Sequence, residues 1–491
     1  MSRYLIAAFA LLLAACAPAP DAQLRFGLAS APVTLDPRFA TDAASTRINR
    51  LLYERLVDFD EHLAPAPALA ASWRVFSPTH YRFRLDNGPH LFSDGARLTA
   101  NDVKATYDFI LDPANASPHR ATLALIERIE VSDELSVDFF LTRPDLLFPG
   151  YLVVGILPAH KIAAGHAFNR WPIGSGPFEF VSWPDDGRLE LRRRRDGQLL
   201  SFVRVTDPTV RVLKLLRGEI DMLQNDLSPE LVKFLEQRDS IAVSRGKGSN
   251  FTYLGFNLDD AATGRLEVRR AIAQAIDRDA IIRYVMGAQA RPANALLPPD
   301  HWAGAPGLAG YAYDPAAARA ALAVLGYGPQ HPLHLSYKTS TDSFRLRLAT
   351  VIQSQLKEVG IEVDLQSYDW GTFYGDIKAG NFQMYSLSWV GIKTPDIFRY
   401  AFHSESLPPN GANRGRFRDA QTDAFIEAAA SGADLEQQAA TYRQIQTRLL
   451  EELPYVPLWY EDHLFAARKG IGGYTLSLDG NYDGLATVTK R

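Results

Sequence analysis

Apolar residues recur along the chain at two spacings, which predict an alternation of short strands and moderate helices. Residues 81–85 alternate apolar and charged side chains, which indicates a half-buried strand. Residues 268–276 and 348–359 carry apolar side chains at helical spacing. Gly360 ends the second helix, and residues 361–365 return to a period of two, which indicates a following strand. This mixture predicts α/β lobes.

Two further helices are marked at both ends by residues that begin and end helices. Each begins where an aspartate precedes a proline, at Asp207 and at Asp314, because the carboxylate can cap the first turn and proline is tolerated there. They end at Gly218 and Gly326. Since no Gly/Ser-rich linker separates the units, we expect the lobes to share strands that cross between them.

The first sixteen residues predict export and a lipid anchor. Residues 4–13 form an uncharged apolar run after Arg3. Ten helical residues rise about 15 Å, half of a bilayer core, so the run indicates a signal peptide over residues 1–15 rather than a membrane span. The Leu-Ala-Ala sequence before Cys16 resembles a bacterial lipobox, in which the cysteine becomes the lipidated first residue. Residues 16–22 would then be a lipidated tether.

The cysteine content agrees with this prediction. Cys16 is the only cysteine of the chain, and exported proteins either pair their thiols or avoid them. The alternative is an incidental cysteine in a plain signal peptide. We therefore expect a periplasmic, cell-envelope protein that is held on a membrane through Cys16.

Composition and charge narrow the function classes only slightly. The chain has 491 residues, of which 47% are hydrophobic and 22% charged, as in an ordinary globular protein of two or three lobes. The net charge of −4 gives no general attraction to nucleic acid or to anionic lipid. We therefore expect no nucleic-acid partner.

Residues 92–103 carry a family signature. Their sequence, Phe-Ser-Asp-Gly-Ala-Arg-Leu-Thr-Ala-Asn-Asp-Val, resembles the F-x-D-G-x-x-L-T-A-x-D-V segment of the family 5 extracellular solute-binding proteins. The Asp94 and Gly95 pair can form a tight turn with positive φ at the glycine. Thr99 can cap a helix whose first turn contains Asp102. The segment is thus predicted to be structural and to contact no ligand.

Other segments similar to this family lie in the family's order along most of the chain, namely residues 35–37, 67–73, 172–178, 217–221, 255–257, 268–271, 275–278, 313–315 and 360–363. Together with the lipobox they identify the chain as similar to the substrate-binding lipoproteins of ABC importers that bind oligopeptides, dipeptides and nickel complexes.

This resemblance implies an α/β fold, the two-lobed periplasmic-binding-protein clam-shell with an extra subdomain. Lobe I would comprise residues 23–46, 169–256 and 464–491, the added subdomain residues 47–168, and lobe II residues 257–463. The expected protein is a monomer without a cofactor or a bound metal. It would close around a peptide or peptide-like ligand and deliver it to ABC permease subunits in the membrane, while other subunits hydrolyse ATP.

Two tryptophans are the first candidates for the ligand site. Trp370 and Trp389 lie 19 residues apart, and in the oligopeptide-binding relatives two tryptophans with this spacing line the pocket. The strand after the second tryptophan, with Val390, Gly391 and Ile392, would offer backbone groups to an extended peptide, as in β-augmentation. The alternative is that both tryptophans belong to the core.

One position departs from the peptide-binding relatives. They usually carry an aspartate three residues after the second tryptophan, where it pairs with the free α-amino group of the peptide, but this chain has Ile392. A buried ammonium without a partner costs several kcal/mol. Either Asp396 or Glu461 replaces that carboxylate, or the ligand is not an ordinary peptide.

Further candidate contacts come from both ends of the chain. Ser30 and Ala31 lie where relatives place a strand edge against the ligand, and Tyr460 with Glu461 resembles a second edge. Two arginines, Arg414 and Arg416, could meet a carboxylate or a phosphate, although a solvated loop is the favoured interpretation of that segment.

Two alternative functions stay open, of which the first is import of nickel or another metal chelate. The second, an extracytoplasmic hydrolase on the same scaffold, would need a nucleophile with its base, or a metal in the cleft. The sequence contains no H-E-x-x-H or G-x-S-x-G motif, so we expect no enzyme. The arginine run 192–195 is interpreted as an exposed hairpin rather than as an anion site.

Overall fold

The computed structural model describes residues 23–409, 411–430 and 434–491. The predicted signal peptide, the tether and Cys16 therefore lie outside the described residues. Among the helices that are described, none is long and apolar enough to cross a lipid bilayer.

The strands, in chain order, are β1 (Leu24–Leu28), β2 (Val57–Phe59), β3 (Pro65–Pro67), β4 (Ala70–Ser77), β5 (His80–Leu85), β6 (Ile126–Asp133), β7 (Ser136–Leu141), β8 (Phe178–Asp185), β9 (Arg188–Arg193), β10 (Leu199–Arg204), β11 (Met222–Gln224), β12 (Ile241–Phe256), β13 (Ala290–Pro292), β14 (Leu333–Ser340), β15 (Ile361–Tyr368), β16 (Met384–Trp389), β17 (Tyr455–Arg468), β18 (Ile471–Gly472) and β19 (Thr489–Lys490).

The α-helices are α1 (Ala43–Leu52), α2 (Ala100–Leu111), α3 (Arg120–Leu123), α4 (Ala159–Ala163), α5 (Pro208–Arg217), α6 (Pro229–Glu236), α7 (Leu266–Ala275), α8 (Arg278–Ala280), α9 (Pro315–Val324), α10 (Ser343–Glu358), α11 (Trp370–Ala379), α12 (Ile397–Phe402), α13 (Ala420–Ala430) and α14 (Leu435–Glu452).

One large sheet runs through both lobes, in the order β15-β14-β16-β12-β17-β11-β1-β10-β9-β8. Its centre is the long antiparallel pair β12 and β17. One part of this pair adjoins β11, and another part adjoins β16. β12 and β17 therefore run from one lobe into the other, which confirms that the lobes share crossing strands. The two lobes are joined at the cleft by these strands.

Separate cores mark the parts of the two-lobed fold. Lobe I is the part packed around β1 and β8–β10, and α1 contributes Ile48 and Leu51 to its core. Lobe II packs around β14–β16 and contains one aliphatic and one aromatic core. The added subdomain packs around the four-stranded sheet of β4–β7. The α/β two-lobed architecture is therefore confirmed, whereas the residue boundaries between the parts stay predictions.

The capping residues behave as their chemistry predicts. Asp207 caps α5 by accepting from the backbone N–H of Val210, and Gly218 ends that helix with φ of +74°. At the signature segment, Asp102 Oδ2 accepts from the backbone N–H of Thr99 at 2.7 Å. The other oxygen of Asp102 accepts from the backbone N–H of Ala159 at 2.7 Å. The signature thus ties α2 to α4 and serves the fold.

The arginine run does form a hairpin, but one of its members is not exposed. Arg193 is only 3% exposed. Its Nη1 donates to the backbone oxygen of Val488 at 2.7 Å, and its Nη2 pairs with Asp196 at 2.8 Å. The prediction of an exposed side chain was wrong for Arg193 because the C-terminal segment packs over it.

Candidate ligand-binding cleft

A cavity of about 780 Å³ lies between the lobes. Its walls come from residues 37–59, from residues 119–155 of the added subdomain, and from residues 391–400 of lobe II. A volume of this size lies within the range that small-molecule sites occupy. Since all three parts of the fold contribute walls, a solute held here would contact each of them.

Polar contacts join the parts beside this cavity. Lys393 Nζ of lobe II lies 2.6 Å from Asp479 Oδ2 of lobe I. The backbone N–H of Trp302 donates to the backbone oxygen of His62 at 2.9 Å. The described structure is therefore a closed arrangement of the cleft.

An apolar contact from the added subdomain adds to this closure. Leu147 is 4% exposed and packs within the aromatic core of lobe II. Tyr151, from the same loop, packs against that core and also lines the cavity. This loop therefore links the added subdomain directly to lobe II.

Asp396 is the carboxylate of the cavity wall. Thr394 Oγ1 donates to it, and among the described cations none forms an ion pair with it. The Asp396 side chain is exposed to the solvent of the cavity, yet the protein mass around the cavity raises its pKa, and the nearby carboxylate of Asp145 raises it further. Asp396 thus presents an acceptor whose negative charge has no counter-ion from the described protein.

Glu461, the other candidate for the missing carboxylate, is already engaged. Its Oε1 accepts from Arg345 Nη1 at 2.7 Å and from Thr252 Oγ1 at 2.9 Å. Burial alone would raise the pKa of Glu461, but Arg345, the hydrogen bond from Thr252 and the charge of His463 together outweigh burial and lower it. Glu461 does not line the cavity. Of the two carboxylates, the structure therefore brings only Asp396 to the cleft.

Tyr460, its neighbour, belongs to the core. It is 2% exposed, and its hydroxyl donates to the backbone oxygens of Ala295 and Leu297 at 2.6 and 2.9 Å. In this closed arrangement Tyr460 offers no surface to a ligand, which corrects the expectation of a strand edge there.

The backbone after the second tryptophan is not a strand. β16 ends at Trp389, and Gly391 has φ of +71°, in the left-handed region. The expectation of an extended strand over Val390–Ile392 was therefore wrong. Gly391 and Ile392 nevertheless line the cavity, as part of a loop, whereas the side chain of Val390 is 58% exposed and does not.

The two tryptophans share one wall of lobe II but do not line the cavity themselves. Trp370 is 59% exposed and stacks on Tyr374, with ring centres 5.4 Å apart. Trp389 is half-buried, and its ring lies 4.7 Å from the guanidinium carbon of Arg414. The ring centres of Trp389 and Tyr400 lie 6.3 Å apart, and Tyr400 does line the cavity.

The N-terminal candidates lie just after β1. Ser30 is exposed and Ala31 is half-buried, and neither belongs to the residues that line the cavity. They lie on lobe I outside the cavity walls, so their role as ligand contacts stays a prediction.

Sequence reasoning missed the cations of the cavity. Arg50 pairs with Asp58 at 3.0 Å and with Asp483 at 2.5 Å, and Arg55 pairs with Asp58 at 2.6 Å. Burial alone would raise the pKa of Asp58, but the two arginines hold it well below its usual range. No motif marks these residues, because the fold and not a local spacing brings Asp483 to Arg50.

His119 is a second residue that the sequence did not single out. It lines the cavity, and its Nε2 has no hydrogen-bond partner among the residues that the structure describes. Burial lowers the pKa of His119, although backbone groups of Ala40 and Pro37 partly offset it. The ring is therefore neutral near pH 7. In the described part of the chain, no three His, Cys, Asp or Glu side chains are grouped to hold a metal ion.

A sequence comparison decides the family. The sequence model of the bacterial extracellular solute-binding proteins, family 5 Middle, matches residues 64–407. The chain belongs to this family. Family 5 proteins are transport binding proteins, and they act outside the cytoplasm.

Individual relatives agree with the family 5 assignment. The chain is 29% identical to the di/tripeptide-binding protein 2 of Pseudomonas aeruginosa, a match that covers 97% of this chain and 96% of the relative. It resembles the oligopeptide-binding protein AppA of Bacillus subtilis in complex with a nonapeptide (TM-score 0.76, 24% identity, 96% and 99% coverage). It also resembles NikZ of Campylobacter jejuni in complex with Ni(L-His) (TM-score 0.79, 24% identity, 96% and 100% coverage).

Proposed function

We propose that this protein captures peptides or peptide-like solutes with a free amino group and delivers them unchanged to an ABC permease. The observation that carries the proposal is the cavity of about 780 Å³ between the lobes, with Asp396 in its wall, a carboxylate that has no ion-pair partner among the described residues. A buried ammonium needs an opposite charge. Asp396 supplies it at a different position from the one expected in relatives.

Recognition of the amino group also explains why a carboxylate with a raised pKa lies in the cavity wall at Asp396. A ligand ammonium beside Asp396 would favour the ionised carboxylate and lower the pKa that enclosure raises. The protein around the cleft lowers the local dielectric constant, so the attraction is stronger there than between the same charges in bulk water. Specificity for an amine then follows from one charge, while the remaining walls accept varied side chains.

Transport follows from hinge closure. The free protein samples open and closed forms, and a solute that touches both lobes favours the closed form. The contacts between Lys393 and Asp479 and around Leu147 exist only when the lobes approach. A permease would recognise the closed form, and a lipid on Cys16 would raise the local concentration at the membrane.

Support also comes from the relatives. The di/tripeptide-binding protein and the nonapeptide complex of AppA are named for peptides of different lengths. A cavity of about 780 Å³ accommodates a short peptide. We therefore propose short peptides as the first ligand class, and binding without chemical conversion.

The test compares peptides with free and acetylated amino termini by calorimetry. Wild-type protein should bind the free peptide at least tenfold more tightly. Asp396→Asn should abolish this preference, while the exposed Asp239→Asn serves as a matched control and should keep it. Equal binding of both peptides by wild-type protein would refute amine recognition. Native mass spectrometry of the purified protein, with a recurring peptide mass, tests the ligand class independently.

A second candidate cargo is a metal chelate. His119 lines the cavity as a neutral imidazole, and its buried Nε2 has no hydrogen-bond partner among the described residues. A side-chain rotation that turned this nitrogen toward the cavity would let it bind nickel or zinc. One imidazole cannot hold a metal ion alone, so the metal would arrive with its own chelator. Calorimetry with a nickel–histidine complex tests this, and His119→Gln should abolish binding if this candidate is correct.

A further inference from the structure

Arg414 is a buried cation that pairs with no carboxylate in the described part of the chain. It is 9% exposed. Its Nη1 donates to the hydroxyl of Tyr253 at 3.0 Å, and its Nη2 donates to the hydroxyl of Tyr374 at 3.2 Å. Over residues 23–409, 411–430 and 434–491, no acidic side chain lies within ion-pair distance of it. The expectation of a solvated loop was therefore wrong for this residue.

Two neighbouring arginines, unlike Arg414, lie close to a carboxylate. Arg416 lies 3.9 Å from Asp259, and Arg418 lies 2.8 Å from the same carboxylate. Both are more exposed than Arg414, so water already screens their charges. The most buried of the three arginines is thus the one that lacks a carboxylate.

The surroundings of Arg414 are aromatic. The rings of Trp389 and Tyr374 lie 4.7 and 5.4 Å from its guanidinium carbon. Cation–π attraction is weaker than the penalty for removing a full charge from water. A guanidinium has five N–H donors, whereas only three hydroxyls, those of Tyr253, Tyr374 and Tyr385, lie beside this one. Donors and charge therefore remain for another acceptor.

A small pocket adjoins this group. It measures about 20 Å³, and its lining includes Arg414, Trp389, Tyr253 and Tyr385. A volume of that size holds roughly one water-sized atom. The hydroxyls of Tyr253 and Tyr385 lie 3.5 Å apart within this group. Phenol hydroxyls and a guanidinium are donors that suit a small anion.

We propose that Arg414 is an anion-binding subsite of lobe II that accepts one carboxylate oxygen or one halide ion. Two sources supply this chemistry, namely the carboxylate of a bound peptide and free chloride. The first source rests on the proposed function, whereas the second does not. In either case the anion would bind to Arg414, which contacts both Trp389 and Tyr374. Because Tyr374 stacks on Trp370, the bound anion would lie in one contact network with both tryptophans.

The first experiment uses wild-type protein and sodium bromide. Crystals grown in bromide should show an anomalous peak within about 3.5 Å of the Arg414 guanidinium if the free halide binds. In solution, tryptophan fluorescence should then change on chloride addition but not on sulfate addition at equal ionic strength. Arg414→Met should remove the change, and Arg416→Met should keep it.

The second experiment addresses the carboxylate source. In chloride-free buffer, amidation of the peptide carboxyl terminus should weaken binding to wild-type protein at least tenfold, and to Arg414→Met less than twofold. Arg414→Lys, which keeps the charge, should retain part of the preference.

The proposal is overturned if bromide crystals show no peak at Arg414 and amidation has no effect that depends on Arg414. Failure of all peptides to bind would refute the proposed function. In that case the presence or absence of the bromide peak at Arg414 would by itself show whether Arg414 binds an anion. Because the crystal experiment needs no variant, an unfolded Arg414→Met protein would not prevent the test.

Discussion

Lys393 Nζ lies 2.6 Å from Asp479 Oδ2, and this ion pair joins a cavity loop of lobe II to the C-terminal part of lobe I. The side chains are 22% and 9% exposed, so water screens the pair less than it screens a surface pair. Burial alone would raise the pKa of Asp479, but Lys393, Arg50 and the hydrogen bond from Ser477 together outweigh it and the pKa falls to about 2. The pair therefore stabilises the closed lobes at neutral pH.

Lys393→Met should weaken ligand binding by destabilising the closed form. A hydrogen bond to a charged group contributes about 1.5–3 kcal/mol, which corresponds to roughly ten- to hundredfold in affinity. Calorimetry measures the loss, and small-angle X-ray scattering should show a more open protein. Lys104→Met is the matched control, because Lys104 and Asp108 form a pair of similar length, 2.7 Å, that lies within α2 and is 39% and 47% exposed. An equal loss for both variants would contradict a special role of Lys393.

Leu147→Ala should also weaken closure, but through apolar contact. Removal of the buried side chain from the lobe II core costs about 2 kcal/mol, roughly thirtyfold in ligand affinity. The melting temperature without ligand should change little, because an open form does not bury Leu147 against lobe II. Leu213→Ala, which changes a 40% exposed leucine on α5, is the control. A large loss of melting temperature with unchanged affinity would place Leu147 in a permanent core instead.

Glu461→Gln should reduce stability and leave amine recognition intact. The change removes the negative partner of Arg345 and costs about 1–3 kcal/mol in a partly exposed pair. Thermal melting should detect this loss, whereas the preference for a free over an acetylated peptide should persist. Loss of that preference in Glu461→Gln but not in Asp396→Asn would reverse the assignment of the amine-binding carboxylate.

Asp396→Asn should have the opposite effect on stability without ligand. The pKa of Asp396 is raised in the folded protein, chiefly by enclosure, so its ionised form opposes folding once the pH exceeds the pKa of the unfolded chain. The variant should therefore melt at a higher temperature than wild type at pH 7, and the difference should vanish near pH 3. A lower melting temperature at pH 7 would show that the carboxylate stabilises the free protein.

The raised pKa of Asp396 also sets the pH dependence of ligand binding. As the pH falls through the raised pKa of Asp396, the carboxyl becomes neutral and loses its attraction for an ammonium. Binding of the free-amine peptide by wild-type protein should therefore weaken on acidification, beginning at a higher pH than an ordinary aspartate would give. Calorimetry across this range, with Asp396→Asn as the pH-independent reference, measures it.

The features that the sequence predicted correctly are those that depend on interactions between residues close together in the chain. Capping by Asp207, the left-handed glycine at Gly218 and the turn at Gly95 depend on neighbours a few residues away. The turn within the family signature follows in the same way from residues that are neighbours in the chain. These features need no knowledge of distant contacts, and the structure confirms them.

The candidate site was harder to predict because its chemistry depends on distant pairs. Glu461 was predicted as a partner for the ligand ammonium, but in the fold it pairs with Arg345, which is distant in sequence. Arg193 was predicted to be exposed, but the residues near Val488 cover it. Tyr460 points into the core rather than toward the ligand, a choice that the sequence near it does not reveal. Asp396 was identified because it was the nearest downstream acid, and its lack of a counter-ion among the described residues emerged only in the structure.

Recognition of the peptide amino group by Asp396 is best tested by a crystal structure of the protein with a short free-amine peptide. We expect the peptide between the lobes, with its ammonium nitrogen within about 3.2 Å of an Asp396 carboxylate oxygen and with Lys393 paired to Asp479. A peptide bound outside this cavity, or one whose amino group lies at another carboxylate, would contradict it.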